Sequence, residues 1–167
     1  MSAAVSSRSD TSSSRVTDSG DRGSGARTAV AVGRVEIDHE IVEAIRQQRI
    51  PKGDVMQTSR TAALLGAKQA TRLIPHCLDV SLDGIDVEME LQEQTPAIAI
   101  QAFAKSRGPT GVEMEALTAV TVAALTVYDM CKSISKDIQI TGVHLVAKTG
   151  GQSGDYLRES AAQRDTY

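Results

Sequence analysis

Two runs of alternating apolar and polar residues, roughly 79–91 and 96–105, are joined by QEQTP and followed at once by GPTGVEMEALTAVTVAALTVYDMCKSIS. Alternation sends every second side chain to one face, so the two runs predict the strands of a hairpin. The third run opens on a glycine-containing turn and then takes up helical spacing, with alanine and other small residues at many positions. A hairpin with one apolar face has to be covered, and a helix of small side chains can lie close upon it. Aromatic residues make up only 2% of the chain, with no tryptophan. The core must therefore be assembled from Ala, Val, Ile and Leu at close range, which favours helices lying flat on a sheet.

The rest of the chain completes this plan. ARTAVAVGRVEI alternates and predicts a strand. DHEIVEAIRQQRI places Ile41, Val42 and Ile45 at helical spacing behind Asp38 as N-cap, and ends before Pro51. GDVMQTSRTAALLGAKQATRLIP predicts a second helix stopped by Pro75, and DIQITGVHLVAK a closing strand before TGGQSGD. The order strand, two helices, two strands, helix, strand predicts an α+β fold with helices packed on one face of a mostly antiparallel sheet. At 167 residues with 41% hydrophobic content, a single domain with a real core is expected, over 26–156.

Nine of the first 25 residues are serine, and large apolar side chains are scarce there. Such a stretch buries too little surface to offset its ordering entropy, so 1–25 is expected to be a disordered tail. Asp10, Asp18 and Asp21 depart from the acid-poor pattern of a transit peptide. The polar end YLRESAAQRDTY is expected to fray, with a flexible tail over 157–167. A net charge of −3 argues against nucleic-acid binding by charge alone. No stretch is expected to reach the roughly 20 apolar residues of a membrane span, so a soluble, cytoplasmic protein is predicted. Cys77 and Cys131 lie 54 residues apart with no CxxC spacing, which predicts neither a zinc site nor a disulfide.

Candidate chemistry concentrates at the long helix. Asp129 and Lys132, three residues apart, share a helix face and can act together on a ligand or form an ordinary surface ion pair. Glu113 and Glu115 stand at the helix start, where the dipole alone accounts for acidic residues. Glu115 and Asp129 are 14 residues apart, about 21 Å along a helix axis. One small site within one chain cannot easily use both, so a site that does is shared between subunits. Lys52 in PKGD and Lys148 before TGG read as solvated loop lysines or, with Lys132, as the basic cluster a phosphate requires. TGGQSG can offer backbone amides to phosphate but carries no Walker lysine. His144 reads as a sheet-face histidine and His39 as polar surface. LIPHCLDV, at 73–80, sets His76 beside Cys77 and leaves a reactive pair, a metal pair and plain packing all open.

Taken together, PKGDV, LIPHC, TGVEMEALTAVTVAALTVYDMCK and AKTGGQSGDY resemble the molybdenum cofactor biosynthesis protein C family, the cyclic pyranopterin monophosphate synthases, over about residues 16–156. The block from TGVEMEALTAV to YDMCK is the most specific, and VTDSGDRGSGAR is similar to the family's start, with Asp18 and Arg27 kept. The resemblance implies a ferredoxin-like α+β fold and a homohexamer, a trimer of dimers, with active sites at the dimer interface. It implies a lyase that converts 3′,8-cyclised dihydro-GTP, a purine nucleotide, into cyclic pyranopterin monophosphate and pyrophosphate, without cofactor or metal. Asp129, Lys132 and Lys52 would be catalytic, and His76, Cys77, Leu78, Glu113, Met114, Glu115 and Lys148 would contact substrate. Opening the purine's five-membered ring and rebuilding it as a pterin needs several proton transfers, and expelling pyrophosphate needs cations on the leaving oxygens.

The resemblance has departures. Where the family reads Leu-Cys-His-Pro this chain has His76, Cys77, Leu78 and Asp79, so the cysteine is kept and leucine takes the histidine's place. In extended backbone His76 and position 78 face the same side, yet their Cα atoms lie roughly 6.6 Å apart, too far for His76 to make the same contact. Arg22 replaces a lysine, Gly25 a threonine and Gln152 a lysine. An active lyase on a cyclised purine nucleotide and a non-catalytic homologue that keeps the oligomeric scaffold both follow. Retention of Lys52, Glu115, Asp129, Lys132 and Lys148 favours the lyase.

Overall fold

The computed structural model describes residues 25–159. The expectations for Asp18, Arg22 and the serine-rich tail, and for the C-terminal tail beyond 159, lie outside the described residues. β1 (Ala26–Glu36) leads through α1 (His39–Arg46), α2 (Val55–Lys68) and the one-turn α3 (Ala70–Leu73) to the hairpin of β2 (Leu82–Gln92) and β3 (Ala97–Arg107). α4 (Glu113–Cys131), β4 (Gln139–Thr149) and the short β5 (Tyr156–Leu157) complete the order. The strands form one sheet, β2-β3-β1-β4-β5, in which every pairing is antiparallel. This is the predicted ferredoxin-like α+β arrangement, with α2 and α4 side by side over the sheet.

Local chemistry explains the element ends. The Asp38 carboxylate accepts from the Ile41 amide at 2.9 Å and caps α1 as predicted. Asp54 does the same for α2 through the Gln57 amide at 2.9 Å. The run predicted as one helix up to Pro75 is interrupted at Gln69, whose amide closes α2 onto Gly66 and Ala67, and α3 then makes one further turn. The C-terminal end departs from expectation at its start. Tyr156 and Leu157 pair with Lys148 and Ala147, and the Arg158 amide donates to the Val146 carbonyl at 2.8 Å, so ordered backbone extends past the predicted boundary.

The core lies between the helices and one sheet face. Ala29, Ala31 and Val35 of β1 and Ile98, Ile100, Ala102 and Ala104 of β3 are buried beneath Ala116, Ala119, Val120, Ala123 and Val127 of α4. Two glycines set the depth of that helix. A Cβ on Gly33 of β1 would come 2.6 Å from Val120 Cγ1, and one on Gly66 of α2 would come 2.8 Å from Val122 Cβ. α4 is therefore seated on the sheet and against α2 at once. Against expectation it is long and apolar enough to cross a membrane by length and composition, but much of it is buried inside the fold. A helix enclosed on several sides is apolar nearly all round.

Candidate active site

α4 carries charged groups to its two ends. At the C-terminal end Asp129 lies in the last turn, and Lys132 is the C-cap. Lys52 arrives from the turn between α1 and α2, where Gly53 takes φ +101° and its amide closes on the Ile50 carbonyl at 3.0 Å. That left-handed step, easy for glycine, lets the chain turn straight into the Asp54 cap. Lys52 Nζ lies 2.5 Å from Asp129 Oδ2 and also donates to the Asp129 carbonyl at 3.1 Å. Lys132 Nζ lies 2.8 Å from Oδ1. Both carboxylate oxygens are thus taken by ammonium groups, one of them 77 residues distant in sequence.

The electrostatics follow from this geometry. Hydrogen bonds from Lys132 and then Lys52 hold the Asp129 carboxyl down at about 2, and the Asp129 carboxylate pushes the Lys132 ammonium upward. The cluster therefore carries one negative and two positive charges at neutral pH. Each side chain is about half exposed, with values of 47% to 53%, so water screens the attraction and the cluster adds little to stability.

The N-terminal end is drier. Glu113 Oε1 lies 3.1 Å from Lys148 Nζ, with both side chains mostly buried. Lys148 belongs to β4, not to the following loop as its sequence position suggested, and it also donates to Ser153 Oγ at 2.7 Å. Gly111 makes the Glu113 position possible, since a Cβ there would strike the Glu113 carboxylate. Glu115 is 2% exposed. Its Oε1 accepts from the Cys77 thiol at 3.8 Å, and Oε2 is buried with no partner among the described residues. Burial raises the Glu115 carboxyl above its ordinary value, and burial and then Glu115 raise the Cys77 thiol. A helix-dipole role accounts for an exposed acid but not for one buried without a cation. Met114 is half-buried beside these groups.

Cys77 is therefore the residue of LIPHCLDV that hydrogen-bonds to α4, while Val80 is partly buried against the core. His76 and Asp79 are exposed and Leu78 is 65% exposed. Among the described residues no three His, Cys, Asp or Glu side chains gather as a metal site. Cys131 is buried, which pushes its thiol up to about 11, and both cysteines are free. His144 is half-buried on β4 with Nδ1 2.6 Å from the Gly142 carbonyl, in keeping with a sheet-face residue. Sequence reasoning missed Gly111 and Ser153. The glycine sits two residues before Glu113, and the serine lies in a loop read only for its glycines.

The result is an α+β protein of ferredoxin-like topology whose charged side chains are divided between the two ends of one core helix. Residues 16–151 match the model of the MoaC family. A cyclic pyranopterin monophosphate synthase of Salinibacter ruber is 52% identical over 146 residues, covering 87% of this chain and 86% of that protein. Synthases of the same name from Heliobacterium modesticaldum and Peptoclostridium acidaminophilum are 46% and 44% identical, each over 87% of this chain and 91% and 92% of their own lengths. The chain belongs to the MoaC family.

Proposed function

We propose that the chain is a lyase of molybdenum cofactor biosynthesis that converts 3′,8-cyclised dihydro-GTP into cyclic pyranopterin monophosphate with release of pyrophosphate. The observation that carries this reading is the Lys52–Asp129–Lys132 cluster, assembled from distant parts of the chain on an exposed surface where it adds little to stability. Asp129 orients both ammonium groups. Lys52 and Lys132 supply protons and positive charge as the purine ring opens and pyrophosphate leaves. Held near 2, the Asp129 carboxylate is a weak base in the resting cluster, and it takes up protons once substrate draws the lysines away. At the other end His76, Cys77, Leu78, Glu113, Met114, Glu115 and Lys148 contact substrate.

One copy cannot bring both ends together across about 21 Å. The outward stripe of α4 supports assembly with a second copy. Met114, Leu117, Thr121, Leu125 and Tyr128 follow one another at three- and four-residue intervals, and Leu125 is 55% exposed. The Thr121 hydroxyl donates back to the Leu117 carbonyl at 2.8 Å, so its donor is already satisfied within the helix. Two copies packed antiparallel through this stripe set the Glu113–Glu115 end of one beside the Asp129 end of the other. A cytoplasmic hexamer built from three such dimers completes the reading.

Incubation of purified protein with 3′,8-cyclised dihydro-GTP tests it, with pterin fluorescence and pyrophosphate release as readouts. Appearance of both supports the lyase. The exposed Leu78, in place of the family histidine, favours a second reading, a nucleotide-binding homologue without catalysis. Calorimetric binding of the substrate with neither product formed would establish that alternative.

A further inference from the structure

The Glu113–Lys148 ion pair is held by a circuit of contacts that runs through Arg27 on β1. Arg27 Nε donates to the Gly108 carbonyl at 3.1 Å and Nη2 to the Pro109 carbonyl at 3.2 Å, across 81 and 82 residues of sequence. These bonds hold the loop that enters α4, and that loop contains Gly111, on which the Glu113 carboxylate lies. The loop after β4 covers the same guanidinium. A Cβ on Gly151 would lie 2.6 Å from Arg27 Nη1 and one on Gly150 would lie 3.1 Å from Cδ, with φ values of +103° and +80°. Glycine is required there both for space and for backbone conformation. The Gly150 amide donates to Asp155 Oδ1 at 2.8 Å, and Ser153 of the same loop accepts from Lys148.

We infer that Arg27 is a positioning residue that ties the loop before α4 to the loop after β4 and so sets the place of the Lys148 ammonium. The tie follows from these contacts alone, and its consequence for turnover rests on the proposed function. A planar guanidinium can hold two carbonyls while lying flat against glycine backbone, whereas a lysine ammonium cannot do both. Misplacing a reacting group by about 1 Å can cost on the order of a hundredfold in rate, so a loosened tie is expected to cost about tenfold.

The test compares full-length wild type with Arg27→Lys. Amide hydrogen exchange should quicken in both loops together, about tenfold, with the sheet unchanged. Exchange unaltered in either loop would overturn the tie, and this readout needs no substrate. Turnover should fall about tenfold in an otherwise wild-type chain and by much less in a Lys148→Met background, where the ammonium is gone and only Glu113 is left to position. Equal losses in the two backgrounds would mean that Arg27 acts on substrate or fold independently of Lys148, and would overturn the positioning role. Wild type without turnover would remove the proposed function while the exchange result still decides the tie.

Discussion

Asp129 and Glu115 are acidic residues of one helix, and their surroundings drive them in opposite directions. Asp129 is half exposed between two ammonium groups and its carboxyl falls to about 2, whereas Glu115 is buried against a thiol and its carboxyl rises. One end of α4 holds fixed charge in water, and the other holds a carboxyl in dry surroundings. The difference suits a divided task. Under the proposed function, the wet end would meet the polyphosphate and change partners cheaply, while the dry end would keep its shape and read the ring by hydrogen bonds. What sets each acid's behaviour is its neighbours and its depth, not its place on the helix.

The largest test of this contrast removes the wet end's carboxylate. Asp129→Asn keeps side-chain volume but no longer holds the two ammonium groups, and turnover of 3′,8-cyclised dihydro-GTP should fall by about a hundredfold or more. A wild-type rate would return the cluster to an ordinary surface ion network. A smaller change is expected at the rim of the dry end. Leu78 is exposed and the Asp79 carboxylate adds to the upward pressure on both Cys77 and Glu115. Leu78→His with Asp79→Pro should raise turnover several-fold, on the order of 1 kcal/mol in the barrier. Loss of activity in this double variant would show that the present sequence is already fitted to its substrate.

Much of this was legible in the sequence because it rests on spacing. Alternation at 79–105, the Asp38 cap and the small-residue run of α4 all act within a few residues, and the structure keeps them. The 14-residue interval between Glu115 and Asp129 likewise separates the two ends before any coordinates are known. What spacing could not show was depth. Glu113 and Glu115 are two residues apart, yet one pairs with Lys148 and the other is buried beside Cys77, because burial depends on which segment lies opposite. Lys148 reads as a loop lysine until the pairing of β4 with β1 turns it toward α4. Gly33 and Gly66 have no sequence signal as spacers, since their contacts come from other elements.

Glu115→Gln examines the dry end through stability. A carboxyl whose folded value is raised stays protonated in the fold after the unfolded chain has begun to lose its proton at about 4.5. Wild type should therefore lose stability relative to the glutamine variant as pH rises from that value through the folded one, and gain it back on acidification. Urea unfolding of both proteins between about pH 4 and about pH 8 measures the divergence. Parallel curves would mean that the Glu115 carboxyl is not displaced by burial.

The smallest effect is expected for the same experiment at the wet end, and its sign is opposite. The Asp129 carboxyl is depressed from 3.8 to about 2, so its contribution is present above 3.8 and disappears as pH falls through 2. All three members of the cluster are about half exposed, and screening by water leaves little of that linkage as folding free energy. Asp129→Asn and wild type should therefore unfold at nearly the same urea concentration at neutral pH, with the small difference closing on acidification. A large loss of stability in Asp129→Asn at neutral pH would show that the cluster braces the α1–α2 turn against α4. The loss of turnover in that variant would then reflect a displaced Lys52, and the division between a charged, adaptable end and a rigid, buried one would no longer hold.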